Sequence, residues 1–225
     1  AKFIEAVGQF ERIMNDSGFV TLTRLAASEI TGQDGKAGII EKYFSLSQTD
    51  TTCLKDIGLY PEEMRVGDDI LCLHTLSDVE DLPGKVGTDC RFEKLSTDRS
   101  DCRLSFAAPV GVLLSCNHVY NQYIFIDDHA ENLKNFEQTA RNMQSLSRYS
   151  RANQVNKEWI DEYLNEAHSK GLVSVRCHCN VMAWSDDRDE LKRIRNDVGS
   201  QLALMECKPR HNTVDTPTLF WAGIP

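Results

Sequence analysis

Three pairs of sulfur- or imidazole-bearing residues stand two positions apart: Cys72 with His74, Cys116 with His118, and Cys177 with Cys179, His178 lying between the last two. On an extended strand that spacing places both members of a pair on one face. Thiolates and imidazoles converging from several strands could then hold zinc. Zinc sites leave about two to four residues between paired ligands, whereas each pair here leaves one. Along Val173–Val181 the two cysteines also share the phase of Val173, Val175 and Val181. The pattern therefore predicts core thiols of a strand, and no metal ligand is assigned.

Other motifs fail on their chemistry. Gly32-Gln-Asp-Gly-Lys-Ala37 resembles a phosphate loop in outline. Such a loop needs an earlier glycine so that its amides cradle phosphates, and a Ser or Thr after the Lys for magnesium. Position 30 is Ile and position 37 is Ala, so the segment reads as a turn. Tyr123–Asp128 has the apolar run and paired acids of a magnesium-holding strand end. Without a phosphate loop it reads as a strand whose terminal Asp caps the next helix. There is no Gly-x-Ser-x-Gly elbow, His-Glu-x-x-His helix or Cys-x-x-Cys pair, and no Asp/Glu pair stands out as general acid and base. No catalytic, cofactor-binding or metal residue is expected.

Charge offers two surfaces. Lys134, Arg141 and Arg148 recur every seven residues with Arg151 just beyond. On one helix they would form a basic stripe about 20 Å long. Residues 1–115 carry a formal charge of −7 and residues 116–225 a charge of −2, the acidity of the first part lying mostly between Asp56 and Asp101. Either run is a candidate docking surface. The net charge of −9 counts against direct nucleic-acid binding.

The rest of the sequence must position these residues. With 41% hydrophobic and 26% charged residues the 225-residue chain has globular composition. Its longest uncharged apolar stretches, Ala107–Cys116 and Val119–Ile126, fall short of the roughly 18 residues of a spanning helix. Eight cysteines without a dense framework or a signal peptide are expected to be reduced thiols. The chain opens inside an amphipathic pattern and stops after the apolar run Leu219–Ala222, which suggests an excised segment of a longer protein.

Periodicity predicts a helix over 1–17 carrying Phe3, Val7, Phe10 and Met14, closed by Gly18. It then predicts a strand over Phe19–Leu25, a turn at 32–35, a short helix near 38–45 and a strand over Asp69–Leu76. Short extended pieces follow from 77 to 105, then one or two strands over Ala107–Cys116 and His118–Ile126. Helices are expected over 130–149, with Leu133, Phe136, Ala140 and Met143 on one face, and over 155–169, with Val155, Trp159, Tyr163 and Ala167 and a cap at Gly171. A strand over Leu172–Trp184, a helix over 187–199 and extended pieces near Leu202–Cys207 and Thr218–Ala222 complete the list. This order predicts an α+β fold: a mixed or antiparallel sheet with helices mainly on one face. Its expected division is an irregular part, 1–115, and a regular β-α-α-β-α-β part, 116–225, which could share one core.

Several runs are long and unusual: Asn142-Met-Gln-Ser-Leu-Ser-Arg-Tyr-Ser-Arg-Ala-Asn153, Asn156–Asn165, Gln201–Thr213, Tyr120–Asp128 and Val181–Asp187. They resemble the TraG family of conjugative-transposon proteins over essentially the whole chain. That family is similar to the large ATPase of type IV secretion systems and is distinct from the coupling proteins that share the name. The resemblance implies a motor domain, with its ATP and magnesium, beyond residue 225, and a non-catalytic accessory region here. It implies as partners the inner-membrane components of the conjugation channel, the protein's own motor domain and further copies of the chain. The expected location is cytoplasmic and peripheral at the inner membrane. Two alternatives make different predictions: a stand-alone Cys/His metalloenzyme would carry stoichiometric zinc, and a DNA-binding module would show strongly salt-dependent affinity through the 134–151 stripe.

Overall fold

Local signals set most of the elements in the computed structural model, which describes residues 2–18, 20–49, 55–76, 78–83, 86, 90–93 and 95–224. In chain order they are α1 (Lys2–Asp16), α2 (Ala27–Thr31), α3 (Ile39–Ser45), β1 (Ile57–Tyr60), β2 (Glu63–Val66), β3 (Asp69–Leu76), a 3-10 turn (Val79–Asp81), β4 (Cys90–Arg91) and β5 (Arg103–Leu104). Then follow α4 (Ala108–Leu113), β6 (His118–Ile126), α5 (His129–Leu146), α6 (Arg151–Lys170), β7 (Val175–Ser185), α7 (Arg188–Leu204), β8 (Arg210–Asn212) and α8 (Thr216–Ala222). The architecture is α+β with an antiparallel sheet.

The chain divides into two units, neither a continuous run: residues 1–71, 185–188 and 213–225 form one, residues 72–184 and 189–212 the other. The division falls inside β3, between Leu71 and Cys72. A boundary at 115/116 separates residues 72–115 from the strands they accompany in the second unit.

In the first unit, α3 and α8 meet through aromatic side chains. The Tyr43 hydroxyl donates to the Phe220 carbonyl (2.6 Å) while their rings stack at 5.0 Å, and Phe44 lies 5.2 Å from Trp221. Gly38 stands just ahead of α3, and its amide donates to the Glu41 carboxylate (2.9 Å). Glycine is required there: a Cβ on Gly38 would stand 2.2 Å from the Gly32 amide nitrogen. The Gly32–Ala37 segment is a turn closed by a Gln33–Lys36 bridge. β1 and β2 form a hairpin, and the two-residue turn Gly67-Asp68 joins β2 to β3, with Gly67 at φ +62°. Among the described residues 20–25, the predicted strand is absent. The segment is held instead by α1, where the Asn15 side chain bonds both the amide and carbonyl of Leu22 and Glu11 pairs with Arg24 at 2.8 Å.

In the second unit β8 pairs with β3, β3 neighbours β7, and β7 pairs with β6 through nine antiparallel positions from His118–Ala183 to Ile126–Val175. α7 lays Ile194, Val198 and Leu202 onto Cys179, Val181 and Ala183, with Val110 of α4 and Leu76 in the same core. Those three α7 residues recur every fourth position, the repeat of a single buried face. β6 and β7 are joined at their outer ends by the α5–α6 pair. Asp128 caps α5 by accepting from the Glu131 amide (2.9 Å), Ser150 caps α6, and Gly171 in the left-handed region closes it.

Three further sequence expectations are corrected. Ala107–Cys116 is no strand; residues 108–113 are helical, with Pro109 in the first turn where its missing N–H costs nothing. Residues 202–204 continue α7, and Thr216–Ala222 is α8. The short strand β8 is an element the periodicity did not suggest.

Candidate functional site

The basic residues lie on the α5–α6 hairpin, and all four are exposed. They do not line one helix. α5 ends at Leu146, so Lys134 and Arg141 stand on α5, Arg148 lies in the turn and Arg151 opens α6. Arg141 Nε donates to the Glu137 carbonyl (3.3 Å), and its guanidinium lies 3.8 Å from the Glu137 carboxylate, which also approaches His168. Lys134, Arg148 and Arg151 make no ion pair among the described residues. Beside the tip charges stand Tyr149, 84% exposed, and, two turns into α6, Trp159, 66% exposed. The predicted inner face of α6 is correct for Val155, Tyr163 and Ala167, but Trp159 turns outward.

Part of the acidic run is neutralised by basic side chains. In the first unit Asp69 pairs with Lys55 at 2.8 Å, and Glu63 pairs with both Arg65 and Arg188. In the second, Arg210 spans Asp78 and the buried Asp81 at 2.7 and 2.9 Å, while Asp101 faces Arg91 and Arg103. Asp89 lies outside the described residues. Sequence proximity of charges thus overstated the patch in part, because Arg188 and Arg210 reach Glu63, Asp78 and Asp81 from distant positions.

Cys72 and His74 lie on β3 and Cys177 and Cys179 on β7, as strand phase puts them, whereas Cys116 stands in a bend ahead of β6. Burial governs the chemistry of Cys72, His74, Cys116 and Cys179. Cys72 and His74 are both buried, with Sγ 3.8 Å from Nδ1. Burial pushes the Cys72 thiol up to about 12. It brings His74 down to about 4, helped by His211 and Arg195. Cys177 and Cys179 face each other at 3.4 Å, and burial raises Cys179 to about 12. The Cys116 carbonyl lies 2.9 Å from His118 Nδ1, and burial raises the Cys116 thiol. Thiols held protonated in this way make poor nucleophiles. Among the described residues no three His, Cys, Asp or Glu side chains are grouped to hold a metal. Cys53 lies outside those residues.

Asp127, at the acidic strand end, receives two hydrogen bonds from Arg176, at 2.8 and 3.0 Å. This pair sits at the base of the hairpin and holds the Asp127 carboxyl below its usual range. No helix among the described residues is long and apolar enough to cross a membrane. The α5–α6 pair thus offers exposed aromatic and basic side chains, the residue types that concentrate binding energy at protein interfaces. No family model and no curated protein matches the chain.

Proposed function

We propose that this chain is the non-catalytic accessory region that precedes the motor domain of a conjugative-transfer ATPase. Its work is positional: it docks the motor on the inner-membrane components of the transfer channel, at the cytoplasmic side of the membrane. ATP and magnesium belong to the motor domain, and this region binds neither. The resemblance of its runs to the TraG family motivates the assignment. The observation that carries the docking role is the exposed tip of the α5–α6 hairpin, where Arg148, Tyr149 and Arg151 fall within the run Asn142–Asn153.

The test is charge reversal in the full-length protein. Lys134→Glu, Arg148→Glu and Arg151→Glu together should abolish co-purification with the channel components and abolish transfer, while the melting temperature stays unchanged. A matched acidic variant, Asp56→Lys, Glu62→Lys and Asp68→Lys, should retain both. Normal transfer by the hairpin variant would overturn the proposal, as would loss of transfer confined to the acidic variant.

A further inference from the structure

We infer that β6 is an interaction edge that pairs antiparallel with β6 of a second copy of this chain. The inference stands independently of the conjugation reading. β6 is the last strand of its sheet among the described residues and pairs only with β7.

The ladder settles which backbone groups face outward. The Asn117 carbonyl accepts from the Trp184 amide (3.3 Å), and these two residues stand opposite each other in the β6–β7 register. They are therefore a hydrogen-bonded pair. Antiparallel ladders alternate such pairs with non-bonded ones, so residues 119, 121, 123 and 125 bond to β7. The amides and carbonyls of Tyr120, Gln122, Ile124 and Ile126 point the other way, to the open edge.

Edges are normally protected by charge, proline, bulges or short length. β6 has nine residues, no Lys, Arg, Asp, Glu, Pro or Gly, and an unbroken register. Ile124 and Ile126 are 56% and 75% exposed. The strand also complements itself. With Gln122 opposite its own copy on a two-fold axis, Tyr120 faces Ile124 and Val119 faces Phe125, each pair occurring twice. Polar Gln122 meets its own copy and Asn121 faces Tyr123, and no formally charged side chains oppose. Such an isologous contact closes on itself as a dimer.

The direction of the Gln122 amide makes the test specific. Gln122→Pro removes an outward donor and leaves the β6–β7 ladder its hydrogen bonds. Ile124→Lys adds charge at the edge. Sedimentation equilibrium of the 225-residue chain should give a mass near twice 25.4 kDa. Each variant should weaken dimerisation roughly tenfold or more, by analogy with losing one or two net hydrogen bonds. Gln122→Cys supplies a positive readout. Residues opposite each other in a hydrogen-bonded pair have Cα atoms about 5.5 Å apart, within disulfide reach. Mild oxidation with oxidised glutathione should therefore cross-link this variant beyond the level of the wild type. A monomer across the micromolar range would overturn the inference. So would a dimer that persists in Ile124→Lys and leaves Cys at 122 uncross-linked, which would place the contact elsewhere, for example on the exposed apolar side of α1. These two variants keep the test decisive if Gln122→Pro fails to fold.

Discussion

α7 and the α5–α6 hairpin are built from comparable helices put to opposite uses. α7 spans 17 residues and buries Ile194, Val198 and Leu202 against β7. α5 and α6 span 18 and 20 residues, and between them only Ala167 is fully buried. Most helical stability comes from packing an apolar face, so α7 is held by the sheet while the hairpin is held chiefly by itself. Its caps, its i,i+4 pairs Lys157–Asp161 and Lys170–Glu166, and the 4.9 Å contact of Phe136 with Tyr163 supply that hold. A helix pair so lightly committed to the core leaves its outer residues available to a partner.

The sharpest way to break this contrast is by truncation. Leu202 has no solvent exposure, and Leu202→Ala should lower unfolding free energy by about 2–5 kcal/mol, the loss of transfer energy plus a cavity. Trp159→Ala, at an exposed site, should change it by no more than about 0.5 kcal/mol. Urea denaturation of both variants measures the difference. A Trp159 cost approaching that of Leu202 would mean that the hairpin's outer face is covered, and the comparison would fail.

A second effect belongs to the sheet alone. His74 is neutral in the folded protein because burial lowers it to about 4 from an ordinary 6.5. The unfolded chain therefore binds the extra proton first. The stabilisation is fully present above about pH 6.5 and is lost as pH falls toward 4, amounting to at most about 3 kcal/mol. His178 and His211 are lowered in the same direction by burial, so their slopes add in that window. Denaturation midpoints between pH 7 and 4 should fall, and His74→Gln should flatten the curve. A His74→Gln curve parallel to that of the wild type would remove this residue from the account.

How far the sequence disclosed this follows from which forces act locally. Asp69–Leu76 is buried along nearly its whole length and was legible as an apolar run. α5 and α6 were legible from period and caps, since Asp128 and Gly171 act within one turn. Ala107–Cys116 was not, because a short apolar run reads equally as strand or helix, and only Pro109 hinted at the latter. Residues 20–25 alternate as a strand should, yet Asn15 occupies the Leu22 backbone groups that a neighbouring strand would need. The site divided in the same way. The basic residues and their exposure were readable, but their separation into helix, turn and helix was not, because it depends on where α5 stops. The acidic run misled for a different reason: Arg188 and Arg210 reach it from more than a hundred residues away.

The smallest predicted effect tests whether the hairpin is held by its own contacts. The Tyr163 hydroxyl is buried and meets no hydrogen-bond partner among the described residues, so its desolvation goes uncompensated. Tyr163→Phe keeps the ring against Phe136 and removes that oxygen, and should leave stability unchanged or raise it by up to about 1 kcal/mol. Tyr163→Ala and Phe136→Ala, combined in a double-mutant cycle, should instead show a coupling of about 0.5–1.5 kcal/mol from the ring contact. A loss of stability in Tyr163→Phe would show that the hydroxyl has a partner. The hairpin would then owe its hold to a polar contact, and the contrast with α7 would narrow by that amount.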